Sequence, residues 1–220
     1  MTSAPNEPAS PKVSLYDDFL AQTDPGRLQK VLARYELFKL AMETPGDIVE
    51  CGVFRGSGIY TWTKLMLLFK PRNEFRVVGF DFFGSERSGD YALPADRDCV
   101  DFHARGWSDP VQIRRTCAQW GFDRVELIPG NVIETTRAYV KENAGARISL
   151  LYLDVDNYEG SLAILENLFP IVVPGGVIAF DEYALRGFGE SDAVDKFLGG
   201  RSPRIRSFPW ANTPSGYIIK

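Results

Sequence analysis

The feature that most constrains the fold is a glycine-rich turn between an apolar segment and an amphipathic one, at residues 47–58 (DIVECGVFRGSG). The apolar segment is typical of a buried strand, and it carries Glu50 close to its end. Gly52 and Gly56 let the backbone turn tightly and come close to a ligand. The helix that follows would point its free N–H groups toward that ligand. The segment therefore predicts a strand–turn–helix unit with a binding site at the strand's end.

The same alternation of apolar strands and amphipathic helices continues along the chain. Strands are predicted at 48–53, 75–80, 125–128, 148–153 and 176–180, with closing strands at 205–208 and 217–219. Helices are predicted at 59–69, 108–120, 132–141, 158–169 and 192–198. Nearly continuous apolar strands that alternate with helices are typical of a parallel sheet covered on both faces. We therefore predict an α/β fold with a Rossmann-like, mostly parallel sheet.

A chain of 220 residues fits a single domain. The Pro-, Ser- and Asn-rich residues 1–13 predict a disordered tail, which leaves 14–220 as the domain. A helical extension at about 14–45 precedes the sheet, and Asp24 is the predicted N-cap of its helix. The segment 82–107 interrupts the alternation with glycines, charges and aromatic residues, and so predicts a lid over the site.

Composition excludes several classes of partner. The formal net charge is -4, so a basic face for nucleic acid is not expected. No apolar run reaches ~20 residues, and the first residues lack the pattern of a signal peptide, so no membrane partner is expected. The three cysteines lack metal-ligand spacing, which favours free thiols in a reducing cytoplasm.

An acidic side chain stands at the end of each of the first two predicted strands. Asp81 lies 31 residues beyond Glu50, where a carboxylate can accept hydrogen bonds from a ribose diol. Phe54 stands where a second close glycine would be, which disfavours a nicotinamide-dependent oxidoreductase. Strand-end acids suit a ligand with an amino group and hydroxyls, and S-adenosylmethionine is such a ligand. The alternative is a strand-to-helix turn without a ligand.

A second group of acids follows the next two predicted strands. Asp154 and Asp156 come after one strand, and Asp181 and Glu182 come after the other. Carboxylates brought this close repel one another unless a cation lies between them or one takes a proton. Hard oxygen ligands suit Mg²⁺, which could bind two neighbouring hydroxyls of a substrate and lower the pKa of one. The alternative is that these acids cap the helices that follow.

Several segments together resemble the macrocin O-methyltransferase family, a group of sugar methyltransferases within class I S-adenosylmethionine-dependent methyltransferases. The resemblance covers about residues 47–198 and rests on these segments: 47–58 above, GFDFFG at 79–84, LYLDVDNYEGS at 151–161, LFP at 168–170, PGGVI at 174–178, DEY at 181–183 and AVDKFL at 193–198. It implies a seven-stranded class I fold with a closing antiparallel strand.

The resemblance also implies roles for individual residues. The donor S-adenosylmethionine would be bordered by residues of the glycine turn, of the second strand end and of the segment after the third strand: Glu50, Gly52, Val53, Phe54, Gly56, Ser57, Asp81, Phe82, Asn131, Val132 and Asp154. Magnesium would be held by Asp154, Asp181 and Glu182. The family usually has two aspartates where this chain has Asp181 and Glu182.

The general base is left open among three residues. Catechol-type relatives place a lysine base at the position of Asn157, so that base is missing here. Asp154 is the first candidate, Asp156 the second, and His103 in the predicted lid the third. A lone loop histidine can equally be a solvated surface residue.

The resemblance therefore predicts a Mg²⁺-dependent O-methyltransferase of natural product biosynthesis, acting on a hydroxyl of a sugar or glycosylated secondary metabolite. Two alternatives are a degenerate module that binds S-adenosylmethionine without catalysis, and a methyltransferase for a catechol-like phenol. The helix at 24–43 could cover the site or form the contact of a homodimer.

Overall fold

The computed structural model describes residues 11–70, 74–84, 91, 93–103, 106–200 and 203–220. Two helices precede the sheet, α1 (Pro11–Gln22) and α2 (Pro25–Ala41). The carboxylate of Asp24 caps α2 by accepting a hydrogen bond from the Gly26 amide at 2.7 Å, as predicted. Most of the predicted tail, residues 1–10, lies outside the described residues, and α1 begins within the remainder of that tail.

The described residues contain a six-stranded sheet in the order β3-β2-β1-β4-β5-β6. Its strands are β1 (Asp47–Cys51), β2 (Val77–Asp81), β3 (Val125–Pro129), β4 (Ile148–Leu153), β5 (Val172–Phe180) and β6 (Gly216–Ile219). The first five are parallel, and β6 pairs antiparallel with β5. The mostly parallel sheet with one closing strand is confirmed.

The prediction of a strand at 205–208 is wrong, so the sheet formed by the described residues has six strands rather than the predicted seven. Only Arg206 pairs there, through an isolated antiparallel bridge to Tyr217. Pro203 before it and Pro209 after it cannot donate to a strand ladder, which limits pairing on this edge.

Helices cover both faces of the sheet. The helices after α2 are α3 (Ser57–Phe69), α4 (Pro94–His103), α5 (Pro110–Gln119), α6 (Val132–Glu142), α7 (Tyr158–Leu168) and α8 (Glu190–Leu198), with a 3₁₀ turn at Phe169–Ile171. Alternate residues of the strands enter two separate cores. One core packs Tyr152 and its same-face neighbours against α2, α3 and α5, and the other packs Leu151 and its neighbours against α6, α7 and α8. Among the described residues, no helix has the length and apolar character needed to cross a membrane.

The predicted irregular insertion at 82–107 contains helix α4, which sequence analysis did not predict. Asp96 in its first turn is completely buried and accepts hydrogen bonds from the amides of Tyr158 at 2.8 Å and Gly189 at 3.0 Å. Because these amides begin α7 and precede α8, the contacts attach α4 to the loops that follow β4 and β5. Residues 85–90, 92, 104 and 105 of the insertion lie outside the described residues.

Candidate active site

A cleft lies at the carboxyl ends of the parallel strands, where sheets of this kind bind ligands. β1 lies in the middle, with β2 on one side and β4 on the other. The cleft is open to solvent, and its volume is about 950 Å³ when the open space at its mouth is included. Its lining includes most of the residues predicted for the donor: Glu50, Gly52, Val53, Phe54, Ser57, Asp81, Phe82, Val132 and Asp154. Gly56 and Asn131 belong to the adjoining turns, as the N-caps of α3 and α6.

The glycines of the turn are required by its backbone geometry. Gly52 has φ 96°, and a Cβ there would lie 1.6 Å from the carbonyl oxygen of Asp154. Gly56 has φ 85° and begins α3 in the left-handed conformation. Gly58 is required for lack of space, because a Cβ there would lie 1.8 Å from Oε1 of Glu50. A side chain at Gly52 or Gly58 would therefore collide with the strand-end residues of the site.

Asp81 organises the glycine turn as well as lining the cleft. Its Oδ2 accepts hydrogen bonds from the backbone amides of Val53 and Phe54, both at 2.7 Å. Its Oδ1 accepts one from the Phe83 amide at 3.2 Å. These bonds tie the end of β2 to the turn after β1, and contact with a ribose stays a prediction.

Glu50 is buried and paired with a residue that sequence analysis missed. Its Oε1 accepts a hydrogen bond from the Arg34 guanidinium at 3.0 Å, and Oε2 has no partner among the described residues. The guanidinium lies 5.7 Å from the ring centroid of Trp62 and 5.0 Å from that of Tyr152. Burial raises the pKa of Glu50 to about 7, although Arg34 and Lys30 oppose that rise.

The second group of acids includes the predicted magnesium ligands. One carboxylate oxygen each from Asp154, Asp156 and Glu182 lie within 4.8 Å of one another. Asp181 accepts hydrogen bonds from the Lys30 ammonium at 2.8 Å and from the Tyr152 hydroxyl, and its role as a metal ligand stays a prediction. Lys30 also contacts Oδ2 of Asp154 at 3.0 Å. The spacing of Lys30 and Arg34 on the predicted helix is the signal that could have placed both on one face.

Burial and neighbouring charges shift the pKa values of these acids in different directions. Burial and the neighbouring Asp181 raise the pKa of Asp154 to about 7. Burial, followed by Asp154, Asp181 and Glu190, raises the pKa of Glu182 far above its ordinary value. Burial would also raise the pKa of Asp181, but the Lys30 ammonium outweighs it and holds that pKa low.

The residues present fit a divalent cation. Oε2 of Glu182 is buried and has no hydrogen-bond partner among the described residues. It belongs to a set of hard carboxylate oxygens, which is the ligand chemistry of Mg²⁺. An ion there would relieve the repulsion between the carboxylates, so Asp154, Asp156 and Glu182 are the candidate metal ligands.

The remaining predicted residues have simpler surroundings. Asn157, at the position of the missing lysine base, caps α7 by accepting a hydrogen bond from the Gly160 amide at 2.7 Å. Asn131 caps α6 through the Ile133 amide at 3.0 Å, and its contact with adenine stays a prediction. His103 is the last residue of α4, and its side chain lies outside the described residues.

A mostly parallel sheet closed by one antiparallel strand, with its cleft after β1, defines the class I methyltransferase fold. The solved structure of CalS11, titled a calicheamicin methyltransferase, matches it with a TM-score of 0.81 and 27% sequence identity, covering 97% of this chain and 87% of that one. The chain also matches the model of the family described as Macrocin-O-methyltransferase (TylF) over residues 25–201. It therefore belongs to the macrocin O-methyltransferase family.

Named relatives support the same assignment. The 8-demethyl-8-(2,3-dimethoxy-alpha-L-rhamnosyl)-tetracenomycin-C 4'-O-methyltransferase of Streptomyces olivaceus is 32% identical over 165 residues, which is 73% of this chain and 60% of the relative. The mycinamicin III 3''-O-methyltransferase of Micromonospora griseorubida is 24% identical over 150 residues, 64% of this chain and 56% of the relative. The chain thus spans less than two thirds of the length of these relatives.

Proposed function

We propose that this protein is an S-adenosylmethionine- and Mg²⁺-dependent O-methyltransferase that acts on a hydroxyl of a sugar or of a glycosylated small molecule. The observation that carries the proposal is the position of Asp154. It lines the cleft that holds the predicted donor residues, and its carboxylate also belongs to the group of three acids. A methyl donor and an acceptor hydroxyl bound at these two places would lie side by side.

The names of the relatives support a sugar acceptor. The name of the Streptomyces olivaceus relative gives a rhamnosyl-bearing tetracenomycin as its substrate, and a second structure of CalS11 is titled a TDP-rhamnose 3'-O-methyltransferase. That structure matches this chain with a TM-score of 0.75 and 26% identity. A rhamnose-type sugar with neighbouring hydroxyls is therefore the acceptor class that we propose to test first.

Donor binding would use the residues around the glycine turn. The amino-terminal N–H groups of α3 favour the donor's carboxylate, because a helix N-terminus attracts negative charge. Oε2 of Glu50, which has no partner among the described residues, would accept a hydrogen bond from the donor's ammonium group. Asp81 would accept hydrogen bonds from the ribose hydroxyls while its bonds to Val53 and Phe54 keep the turn in shape.

Methyl transfer requires that the acceptor hydroxyl be positioned beside the donor and that it lose its proton. Bound Mg²⁺ would supply a Lewis acid that lowers the pKa of the acceptor hydroxyl. Asp154 would be the first candidate to accept the proton of the hydroxyl, because it lines the cleft and also belongs to the acid group. The cleft would align the hydroxyl oxygen with the sulfonium methyl for in-line attack.

Two measurements test the proposal. Calorimetric titration with S-adenosylhomocysteine should show micromolar binding, about 8 kcal/mol of free energy. Methyl transfer from labelled S-adenosylmethionine to TDP-rhamnose should need both the protein and Mg²⁺, and should cease in excess EDTA. Absence of binding would refute the donor site. Binding without transfer to any sugar acceptor would favour the non-catalytic alternative.

A further inference from the structure

Trp107, at the end of the insertion 82–107, lines the cleft but belongs neither to the predicted donor residues nor to the acid group. The residue is 44% exposed, so a large part of its aromatic surface is open to the solvent of the cleft. An indole ring offers a flat apolar face on which a planar ligand group can stack. The neighbours of Trp107 decide which part of the bound reactants would reach that face.

The indole is held against the segment that follows β2. A Cβ added at Gly84 would lie 2.3 Å from Cζ2 and 2.4 Å from Cε2 of the ring, so the indole lies directly against the Gly84 backbone. Gly84 comes three residues after Asp81, the strand-end acid predicted to hold the ribose of the donor. The two ends of the insertion therefore meet beside the end of β2.

The residues on either side of Trp107 are attached to the glycine turn after β1. The Ser108 amide donates a hydrogen bond to the carbonyl oxygen of Phe54 at 3.1 Å. The Nε of Arg55 donates one to the carbonyl oxygen of Gly106 at 2.9 Å. These contacts fix the backbone around Trp107 without a ligand, which lowers the entropy cost of using its ring for binding.

The packing of Trp107 favours the nucleoside part of the donor over the acceptor. The sheet order places β2 and β3 on one side of β1, and β4 and β5 on the other. Trp107 packs on the β2 side, where Phe82 and Val132 also line the cleft. The acid group follows β4 and β5. An acid at the end of the second strand binds a ribose in folds of this kind, so the base attached to that ribose would lie on the side of Trp107.

We propose that Trp107 forms a wall of the adenine site and stacks on the purine of S-adenosylmethionine, which makes it a determinant of donor binding. The face of a purine stacks favourably on an aromatic side chain. The end of the insertion thus belongs to the donor site, whereas its helix α4 is attached through Asp96 to the loops after β4 and β5. This inference rests on the donor of the proposed function and adds a residue to its site.

The first experiment measures, by calorimetry, the binding of S-adenosylhomocysteine and of 5′-methylthioadenosine, which lacks the amino-acid part. Trp107→Ala should weaken the binding of both by at least about tenfold, because the lost contact lies in the nucleoside. Trp107→Phe keeps an aromatic face and should change either affinity by no more than about threefold. Trp210, 43% exposed and stacked on Phe208, provides the matched control Trp210→Ala. Unchanged binding of S-adenosylhomocysteine to Trp107→Ala would overturn the inference.

Tryptophan fluorescence gives a readout that a purely structural role would not change, and it keeps the inference testable if Trp107→Ala fails to fold. Stacking on adenine should quench indole emission, so S-adenosylhomocysteine should quench the parent protein. Most of that quenching should be absent from Trp107→Phe, although this variant still binds, and should persist in Trp210→Phe. Full quenching in Trp107→Phe would refute the stacking.

The same samples separate this inference from the proposed function. If Trp107→Ala binds S-adenosylhomocysteine as the parent protein does but has a raised KM for TDP-rhamnose, Trp107 belongs to the acceptor site and this inference alone is refuted. If the parent protein binds S-adenosylhomocysteine but transfers no methyl group, the proposed activity fails while the binding data still decide the role of Trp107. If the parent protein does not bind S-adenosylhomocysteine, the donor site fails and the inference fails with it.

Discussion

Two cations on the same face of α2 are buried against strand-end acids, but their surroundings differ. Among the described residues, Arg34 forms its ion pair with Glu50, and their side chains are only 5% and 1% exposed. Lys30, four residues earlier, contacts both Asp154 and Asp181, which adjoin Asp156 and Glu182. The first cation thus contacts one acid, whereas the second contacts two acids of a larger acidic group.

The difference separates an ion pair that holds the fold from one that belongs to a binding site. The Arg34 guanidinium contacts the rings of both Trp62 and Tyr152, so its pair with Glu50 joins α2 and α3 to the sheet. An excess of buried carboxylates has no such structural use, because the charges repel and each lost hydration shell costs free energy. A ligand cation would relieve this excess, which is why we propose a metal site among these acids and not at Glu50.

The largest expected effect is on catalysis and comes from the Lys30 side. Asp154→Asn should abolish turnover, a loss of at least about hundredfold, because it removes both a metal ligand and the candidate base. Binding of S-adenosylhomocysteine should change by no more than about threefold. Steady-state kinetics and calorimetry on the variant, with Asp123→Asn as the control, provide the check. Unchanged turnover would refute the metal site and the base together.

The next largest effect should be on stability and comes from the Arg34 side. Arg34→Met leaves Glu50 buried without its cation and should lower the free energy of unfolding by about 3–5 kcal/mol. Lys30→Met should cost less, and Mn²⁺ should restore part of that loss. Urea unfolding of both variants, with and without Mn²⁺, measures the contrast. Recovery of Arg34→Met by Mn²⁺ would mean that the two places are not distinct.

The pH dependence of stability should have one contribution from Glu50, beside Arg34, and another from Asp154, beside Lys30. Glu50 and Asp154 each have a pKa raised to about 7 in the folded protein. A raised acidic pKa stabilises the fold fully below the unfolded value, near 4, and that contribution is lost as pH rises through about 7. The metal-free protein should therefore lose stability between pH 5 and pH 8. The lowered pKa of Asp181 acts only below this range.

Mn²⁺ tests the same dependence, because the ion would compete with the protons on Asp154 and Glu182 and not with the proton on Glu50. Saturating Mn²⁺ should therefore flatten more of the pH dependence than Asp154→Asn removes, and should leave the part that comes from Glu50. Urea unfolding in EDTA and in Mn²⁺ at both pH values supplies the data. Equal slopes in the parent protein and in Asp154→Asn would contradict the raised pKa of Asp154.

The smallest effect concerns the start of α2, which carries both cations. Asp24 and Asp109 each cap a helix that begins with proline, through hydrogen bonds of 2.7 Å and 2.8 Å. Asp24→Ala and Asp109→Ala should each cost about 1 kcal/mol of stability. Only Asp24→Ala should also alter Mn²⁺ binding, because it loosens the turn before Lys30. An equal effect of Asp109→Ala on Mn²⁺ binding would contradict the link.

The sheet and its strand-end acids could be read from the sequence. Buried strands such as 148–153 can be predicted from their apolar composition. Parallel strands place their carboxyl ends at the same edge of the sheet. Glycines 52 and 56 marked the turn because few other residues adopt its conformation. Helix α4 was missed because its polar sequence, PADRDCVDFH, lacks a continuous apolar stripe. The segment 205–208 was predicted as a strand, but only Arg206 pairs there, through an isolated bridge to Tyr217.

The sequence by itself determined the class of fold, the edge of the sheet that forms the site and the acids available there. These properties follow from local patterns that repeat every two residues in strands or about every 3.6 in helices. Only the tertiary structure decided which acid receives which cation. The contact between Lys30 and Asp181 joins residues 151 positions apart. Such a pairing depends on how α2 packs across the sheet, and no local pattern carries that information.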